Sequence, residues 1–375
     1  MSTAARALAY VPGLGFRRAD AVMLREPVTE KVDEWSVTVD HVVADAEATQ
    51  VAVTIYGPFA WTGDRFKAPD VEYGGLIQAR SAAGDVVSSD RQRMFPLSHS
   101  VSHAGTSISC TANMDALTDL SERLDILIGP PLPPLVIPVT LTPVHDFAIP
   151  ARSVNVSDSH HGVVLTAEAV GRGESMTAVL LHAALEPSAR KRFMRALGTF
   201  RDMPRDPPGI TLVDERGASV TPFAATRELS QGPEIRMIAV FPAISPDARS
   251  AALTVPFVVL SEHLGAPLRL PVPWDGDVAL GDDTAHVRTG RDSSPRGGAA
   301  VTVEVEGTWH DDRRVLFAES LTVSERYGGV GFRAMPAEPP IVTYTEDPTG
   351  EADAVSLESP VIQLRGPWTM TLPLP

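Results

Sequence analysis

The sequence predicts an all-β protein made of tandem β-sandwich modules, two related repeats and a third, divergent one. Three observations lead there. Apolar and polar residues alternate with a period of two in segment after segment, the pattern of strands with one buried face. Proline, at 33 residues, and glycine, at 28, break helices and punctuate short strands. The chain also repeats itself at an offset of about 127 residues. WSVTVDHVVADAEATQVAVTI, from Trp35, lies over GVVLTAEAVGRGESMTAVLLH, from Gly162. That register sets Val37 on Val164, Val43 on Val170, Val51 on Ala178 and Val53 on Leu180, while Ile126 and Ile128 fall on Leu253 and Val255. A period of this length matches one small β-sandwich.

Residues 1–27 read as a leader. Ala4 to Phe16, AARALAYVPGLGF, is apolar and ends at Arg17 and Arg18. It is too short to span a bilayer and lacks a signal peptide's charged start and cleavage site. It is either a flexible leader or the tail of a membrane helix.

Residues 28–147 form the first module. Trp35, Val37 and Val39 alternate with Ser36, Thr38 and Asp40; a polar turn spans Ala44 to Ala48; Val51, Val53 and Ile55 then alternate with Ala52 and Thr54. This is a β-hairpin. A loop carrying Gly57, Pro58 and Trp61 follows, then a second hairpin from Gly75 to Val87, turning at Gly84. Strands at Leu124–Ile128 and Leu135–Leu141 close the module. The prolines at 130, 131, 133 and 134 suit an edge or crossover, since proline donates nothing to a ladder.

Residues 148–275 form the second module. Its Ile210–Val220 segment, turning at Gly217, matches the Gly84 hairpin at an offset of 133. The extra residues fall in the basic, proline-containing stretch Glu186–Pro208. The best helix signal of the chain lies there, Pro187 to Leu197, with Ser188 as N-cap. Leu253–Leu260 and Leu268–Val272 are the expected closing strands. Asp275 to Gly298 is polar and reads as a linker or long loop. Strand signals resume at Val301–Val305 and continue through Arg314–Val323, Ile341–Tyr344, Val361–Leu364 and Thr369–Leu374. Residues 276–375 are therefore expected to be a third β module; the alternative is that these strands complete the second.

The hairpin VTVDHVVADAEATQVAVTI, the LVDERGASV element and the segment FPAISPDARSAALTVPFVV resemble the Ig-like ectodomains of membrane-anchored anti-sigma factors and related uncharacterised bacterial membrane proteins. The leading AYVPGLGF resembles the junction that leaves the membrane helix in such proteins. The resemblance spans residues 8 to 275 and implies Ig-like sandwiches, no catalytic residues, and an extracytoplasmic array tethered by an N-terminal helix.

Composition narrows the function. A net charge of −15 and a pI near 5.1 argue against nonspecific nucleic-acid binding. The single cysteine, Cys110, excludes an intrachain disulfide, a Cys-rich zinc site and Cys-x-x-Cys redox chemistry, and reads as a buried small residue. No nucleophile elbow, phosphate-binding glycine loop or zinc-helix motif is found. Gly13 and Gly15 lack the strand and third glycine of a dinucleotide loop, and Tyr327 to Gly331 has no following Lys-Ser/Thr. No catalytic, cofactor or metal residue is assigned. His99 and His103 read as loop or strand histidines too far apart to share an ion. His160 and His161 open a strand after Asp158 and would join a metal only with partners from elsewhere in the chain. Asp275, Asp277, Asp282 and Asp283 read as a solvated polar loop, with calcium binding the sharper alternative.

Arg190, Lys191, Arg192, Arg195, Arg201 and Arg205 form a basic cluster in an acidic chain. They constitute the candidate contact patch, for an acidic protein, a wall polymer or anionic headgroups; the plainer reading is an amphipathic helix capping a sandwich. The expected function is a noncatalytic extracytoplasmic or cell-surface array, acting as sensor, regulator or scaffold through protein or envelope-polymer contacts. A carbohydrate-binding or carbohydrate-active protein using Trp61, Tyr73, Trp309 or Tyr327 is one alternative. A soluble cytoplasmic regulator that binds a partner by edge-strand addition is another.

Overall fold

The structure, a computed structural model, describes residues 8–12, 14–57, 77–88, 94–102, 105–119, 122–129, 132–146, 148–186, 190–194, 209–227, 232–293, 298–318, 321–323, 332–334, 341–347 and 349–375. Period-two alternation is realised in strands such as Ile77–Ser81 and Leu135–Pro143, while Ser250–Glu262 and Arg313–Ala318 carry continuous buried runs. The described residues are mostly β-strand, every ladder is antiparallel, and the single helical element among them is a 3₁₀ turn at Val144–Asp146. The protein is thus all-β and sandwich-like. It divides into two units, Met1–Pro150 and Ala151–Pro375.

The first unit contains β1 (Leu8–Val11), β2 (Gly15–Arg18), β3 (Val22–Leu24), β4 (Val28–Val32), β5 (Trp35–Ala44), β6 (Ala48–Gly57), β7 (Ile77–Ser81), β8 (Val86–Ser88), β9 (Met94–Ser102), β10 (Gly105–Asp115), β11 (Arg123–Ile128) and β12 (Leu135–Pro143). One continuous sheet runs β8-β7-β11-β12-β3-β5-β6-β10-β9, with β4 on β5. It encloses a single core in which Val37, Val39 and Val53 share space with Ile77, Ile126 and Ile137. The short β3 joins the halves, pairing Leu24 with Leu141 and Val22 with Ala44. The expected leader is therefore structured from residue 8 onward. β1 and β2 form a hairpin with the Tyr10 and Phe16 rings 5.2 Å apart, and Ala9, Val11, Ala21 and Met23 pack with Val43 and Val144. Its apolar residues are consumed by that packing: Ala9, Tyr10, Val11 and Phe16 are all buried. Residues 1–7 and Gly13 lie outside the described residues.

The second unit contains β13 (Ile149–His160), β14 (Val163–Arg172), β15 (Met176–Leu185), β16 (Lys191–Phe193), β17 (Thr211–Asp214), β18 (Ser219–Val220), β19 (Ala224–Arg227), β20 (Glu234–Pro242) and β21 (Ser250–Glu262). After β21 come β22 (Leu268–Pro271), β23 (Trp274–Leu280), β24 (Asp283–Ser293), β25 (Ala299–Val305), β26 (Arg313–Ala318), β27 (Leu321–Thr322), β28 (Phe332–Ala334), β29 (Ile341–Glu346), β30 (Ala354–Leu357) and β31 (Pro360–Pro373). One layer runs β19-β20-β15-β14-β13 and faces a second, β18-β17-β21-β31-β26, with β16 also on β21. Leu165, Val179, Met237 and Phe241 meet Leu212, Leu253, Trp368 and Met370 between them.

The two units use closely matching registers. On β5–β6, Val37 opposes Ile55, Val39 opposes Val53 and Val42 opposes Val51, with a bulge between Val39 and His41. On β14–β15, Leu165 opposes Ala183, Ala167 opposes Leu181 and Val170 opposes Val179, with a bulge between Ala167 and Ala169. Val37 thus corresponds to fully buried Leu165, not to half-buried Val164 on the other face. The 127-residue alignment of this hairpin is one residue out of step, and in a strand such a slip exchanges the two faces.

The strand that closes the second sandwich is not the expected Leu268–Val272. β11 pairs with β12, Ile126 opposite Ile137; the corresponding Leu253 of β21 pairs with Met370 of β31, the C-terminal strand. Leu268–Val272 instead joins a small sheet, β22-β30-β27. That sheet packs on a five-stranded one, β23-β24-β25-β29-β28, around Leu280, Val287, Val303, Val355 and Leu357. Residues 276–375 are consequently not one appended module. Most of them form an insertion between β21 and β31, while β26 and β31 complete the second sandwich.

Two further expectations are corrected. Residues 275–293 are strands β23 and β24, not a linker; their outward positions hold Asp, His, Arg and Thr, which masks the inward series Val278, Leu280, Ala285 and Val287. The helix expected from Pro187 to Leu197 is absent in its described part. Lys191–Phe193 is a strand on the edge of β21, where Phe193 reaches the core and the ladder satisfies the backbone, outweighing a weak helical preference. Residues 187–189 and 195–208 lie outside the described residues.

Candidate functional site

The chemistry-bearing side chains of the second unit gather at three places. The first is the β13–β14 hairpin end. His160 pairs with Val163, so His161 and Gly162 are the two loop residues; their φ values are 49° and 72°. Successive side chains of a strand point to opposite faces. The left-handed backbone at His161 cancels that alternation and brings the His160 and His161 rings to 3.8 Å between centroids. The sequence reading, in which this pair opens a strand, is corrected: His160 ends β13 and His161 is the turn. His160 rests edge-on against Trp368 at 5.5 Å, and Trp368, fully buried, donates its Nε1–H to the Val163 carbonyl at 3.0 Å.

Asp312, from the loop before β26, completes the group. Its Oδ2 lies 3.3 Å from His161 Nε2, and its carbonyl accepts a hydrogen bond from the Arg365 N–H at 2.7 Å. Ligand atoms of His160, His161 and Asp312 all lie within 4.8 Å of one another. No sequence signal joins Asp312 to His161, 151 positions away; only the fold does.

The second place is the outward face of β23, β24 and β25. His286 sits between two carboxylates, Nδ1 2.8 Å from Asp277 Oδ1 and Nε2 2.8 Å from Asp275 Oδ1. The hydrogen bond with Asp277, then the charges of Glu306 and Asp275, raise its pKa. Arg288 reaches Asp275, Glu304 and Glu306 at 3.1–3.3 Å. Beside it a shallow groove of about 250 Å³ runs along Arg288, Gly290, Thr302, Glu304 and Tyr344.

The third is the β23–β24 turn. Lys191 Nζ lies 3.8 Å from Glu262 Oε2 and 3.3 Å from Asp282 Oδ2, and Arg313 bonds Asp283 at 2.8 Å. Glu262 is buried against Gly281, and burial raises its pKa against the opposing charge of Lys191. The four aspartates weighed for calcium are thus split between two places, each engaged by a cation.

Of the expected basic patch, Arg190, Lys191 and Arg192 lie at or on β16, and Lys191 is paired with Glu262 and Asp282. Arg195, Arg201 and Arg205 lie outside the described residues, as do His103, Trp61, Tyr73 and Tyr327. His99 is on β9, paired with Ile108. Trp309 carries the Arg314 and Arg365 guanidinium groups over its ring, 4.4 and 4.1 Å from the centre. Cys110 is buried, its thiol pushed up to about 12 by burial and by Asp40, which makes it an inert core residue. No described helix is long and apolar enough to cross a membrane.

No family model matches the chain, and no curated protein matches it. Among solved structures it is similar to the crystal structure of the conserved domain protein from Bacillus anthracis, at 12% identity over 65% of this chain and 80% of that one, with a TM-score of 0.31. A likeness that slight identifies neither fold nor function.

Proposed function

We propose that the chain is a noncatalytic extracytoplasmic or cell-surface scaffold of Ig-like sandwiches, which contacts a protein or an envelope polymer through the outward sheet face of its inserted module. The matched registers and bulges of β5–β6 and β14–β15 support a duplicated structural unit. The hairpin and closing-strand resemblance to anti-sigma ectodomains supports the location. The observation that carries the contact surface is the ladder of Asp275, Asp277, His286, Arg288, Glu304 and Glu306 beside a polar groove. Charged groups prepaired on a rigid sheet lose little side-chain freedom when a partner replaces one of their ion pairs.

The test is co-sedimentation of the full chain with isolated cell-wall polymer, alongside crosslinking to envelope proteins. Arg288→Glu is expected to weaken the contact at least tenfold, and Arg190→Glu with Arg192→Glu to leave it within twofold. The reverse pattern would return the contact to the basic strand. Absence of any polymer or protein contact refutes the proposal.

A further inference from the structure

The three-residue group at the β13–β14 turn goes beyond a scaffold role. We propose that His160, His161 and Asp312 form a binding site for a divalent transition-metal ion of the zinc class, clamping the hairpin turn to the loop that precedes β26. Two imidazoles and one carboxylate suit such an ion; calcium and magnesium prefer an all-oxygen shell. Ligand bonds of about 2.0–2.1 Å put the donors of a tetrahedral ion roughly 3.3 Å apart. His161 Nε2 and Asp312 Oδ2 stand at 3.3 Å. The third donor, from His160, lies within 4.8 Å of both.

The surroundings hold the ligands in place. Adjacent histidines on a regular strand would diverge; the φ of 49° at His161 makes them converge. The same turn position in the first unit, Asp33 with φ 51°, shows that the left-handed residue belongs to the fold, so the side chain there is free to be chosen for its chemistry. Trp368 backs His160, and the Thr369 N–H donates to Asp158 Oδ2 at 2.7 Å, which ties the end of β13 to β31. Asp312 is anchored through its own carbonyl by Arg365. Three protein donors leave a fourth position for water or an outside ligand. Without an ion, the arrangement reduces to a 3.3 Å contact between His161 and Asp312 at a half-exposed site.

The untagged full chain, stripped with chelator, is titrated with Zn²⁺ by calorimetry and with Co²⁺ as a spectroscopic probe. One ion per chain is expected, with the intense visible bands of four-coordinate Co²⁺. His161→Asn keeps the left-handed turn, because asparagine tolerates that backbone, and removes the imidazole. It and Asp312→Asn should each weaken Zn²⁺ binding by at least about tenfold while leaving the melting temperature of the metal-free chain within a few degrees. His286→Gln, which removes the other carboxylate-flanked imidazole, should leave Zn²⁺ binding unchanged. Failure of the wild-type chain to bind Zn²⁺, binding unaltered in both Asn variants, or equal loss in His286→Gln would each overturn the assignment.

Discussion

Replacing Trp368 with alanine tests the claim that the C-terminal strand belongs to the second sandwich. Trp368 is fully exposed to the core and not at all to solvent, it packs among residues of both layers, and its indole N–H bonds the Val163 carbonyl across them. Truncating a buried tryptophan to alanine costs about 3–5 kcal/mol in transfer and cavity energy. Loss of the hydrogen bond adds about 1 kcal/mol. The sum, about 4–6 kcal/mol, is comparable to the whole stability of many domains, about 5–15 kcal/mol. The assay is native-state hydrogen exchange read by mass spectrometry on peptides covering β14, β15 and β20, with β5 and β6 as internal reference. Protection in the second-unit strands should fall by roughly three to four orders of magnitude, since each 1.4 kcal/mol is about tenfold. The β5 and β6 peptides should be unchanged. Trp368→Phe keeps most of the ring and loses the hydrogen bond, so a fall of about tenfold is expected. Unchanged protection in β14 and β15 of the alanine variant would show that β31 closes a separate module, and the reasoning would fail.

Two smaller perturbations probe the inserted module. Gly281 has φ +69°, and a Cβ there would lie 2.7 Å from Glu262 Oε1, so Gly281→Ala should destabilise the second unit by about 1–3 kcal/mol; a chemical-denaturation midpoint that does not move would mean the turn and Glu262 are not in contact. His286 should titrate above its ordinary value of 6.5 in a carbon-resolved NMR titration, and Asp277→Asn should lower that value. Because the folded-state pKa is raised, the stabilisation from this network is present in full below the ordinary histidine range and is lost as pH climbs through the folded-state value. A His286 signal titrating at or below 6.5 would contradict the paired geometry.

The hairpins were legible because Val37, Val39 and Val53 alternate with polar residues, and a one-sided sheet must write that alternation into the chain. Their exact correspondence to the second unit was not. Val164 is as apolar as Leu165, so apolar identity alone does not choose between neighbouring registers; only the bulges fix it. β23 and β24 were hidden for the opposite reason, since their outward residues are so polar that the inward valines look incidental. The site at His161 was half visible. A His-Gly pair between two strands is a turn signal in its own right, because the turn needs positive φ at both positions. Asp312 carried no local mark, as tertiary pairing alone sets it beside the turn.

The position of the inserted module follows from the pairing that surrounds it. Ser261 opposes Val361 on β21 and β31, so the chain that leaves the sandwich after Glu262 returns to it next door. Closing a long excursion between two adjacent points costs little more than closing a short one, because the entropy grows only with the logarithm of length. What such an insertion needs is a joint that stops it swinging. Buried Glu262 at the end of β21 supplies one: it lies against Gly281 of the β23–β24 turn and beside Lys191 of β16, which also reaches Asp282. Arg313 of β26 holds Asp283 from the other side. Both cations thus come from strands of the sandwich and both aspartates from the insertion's turn. Lys191, one of the basic cluster, is thus part of the joint between the sandwich and the insertion.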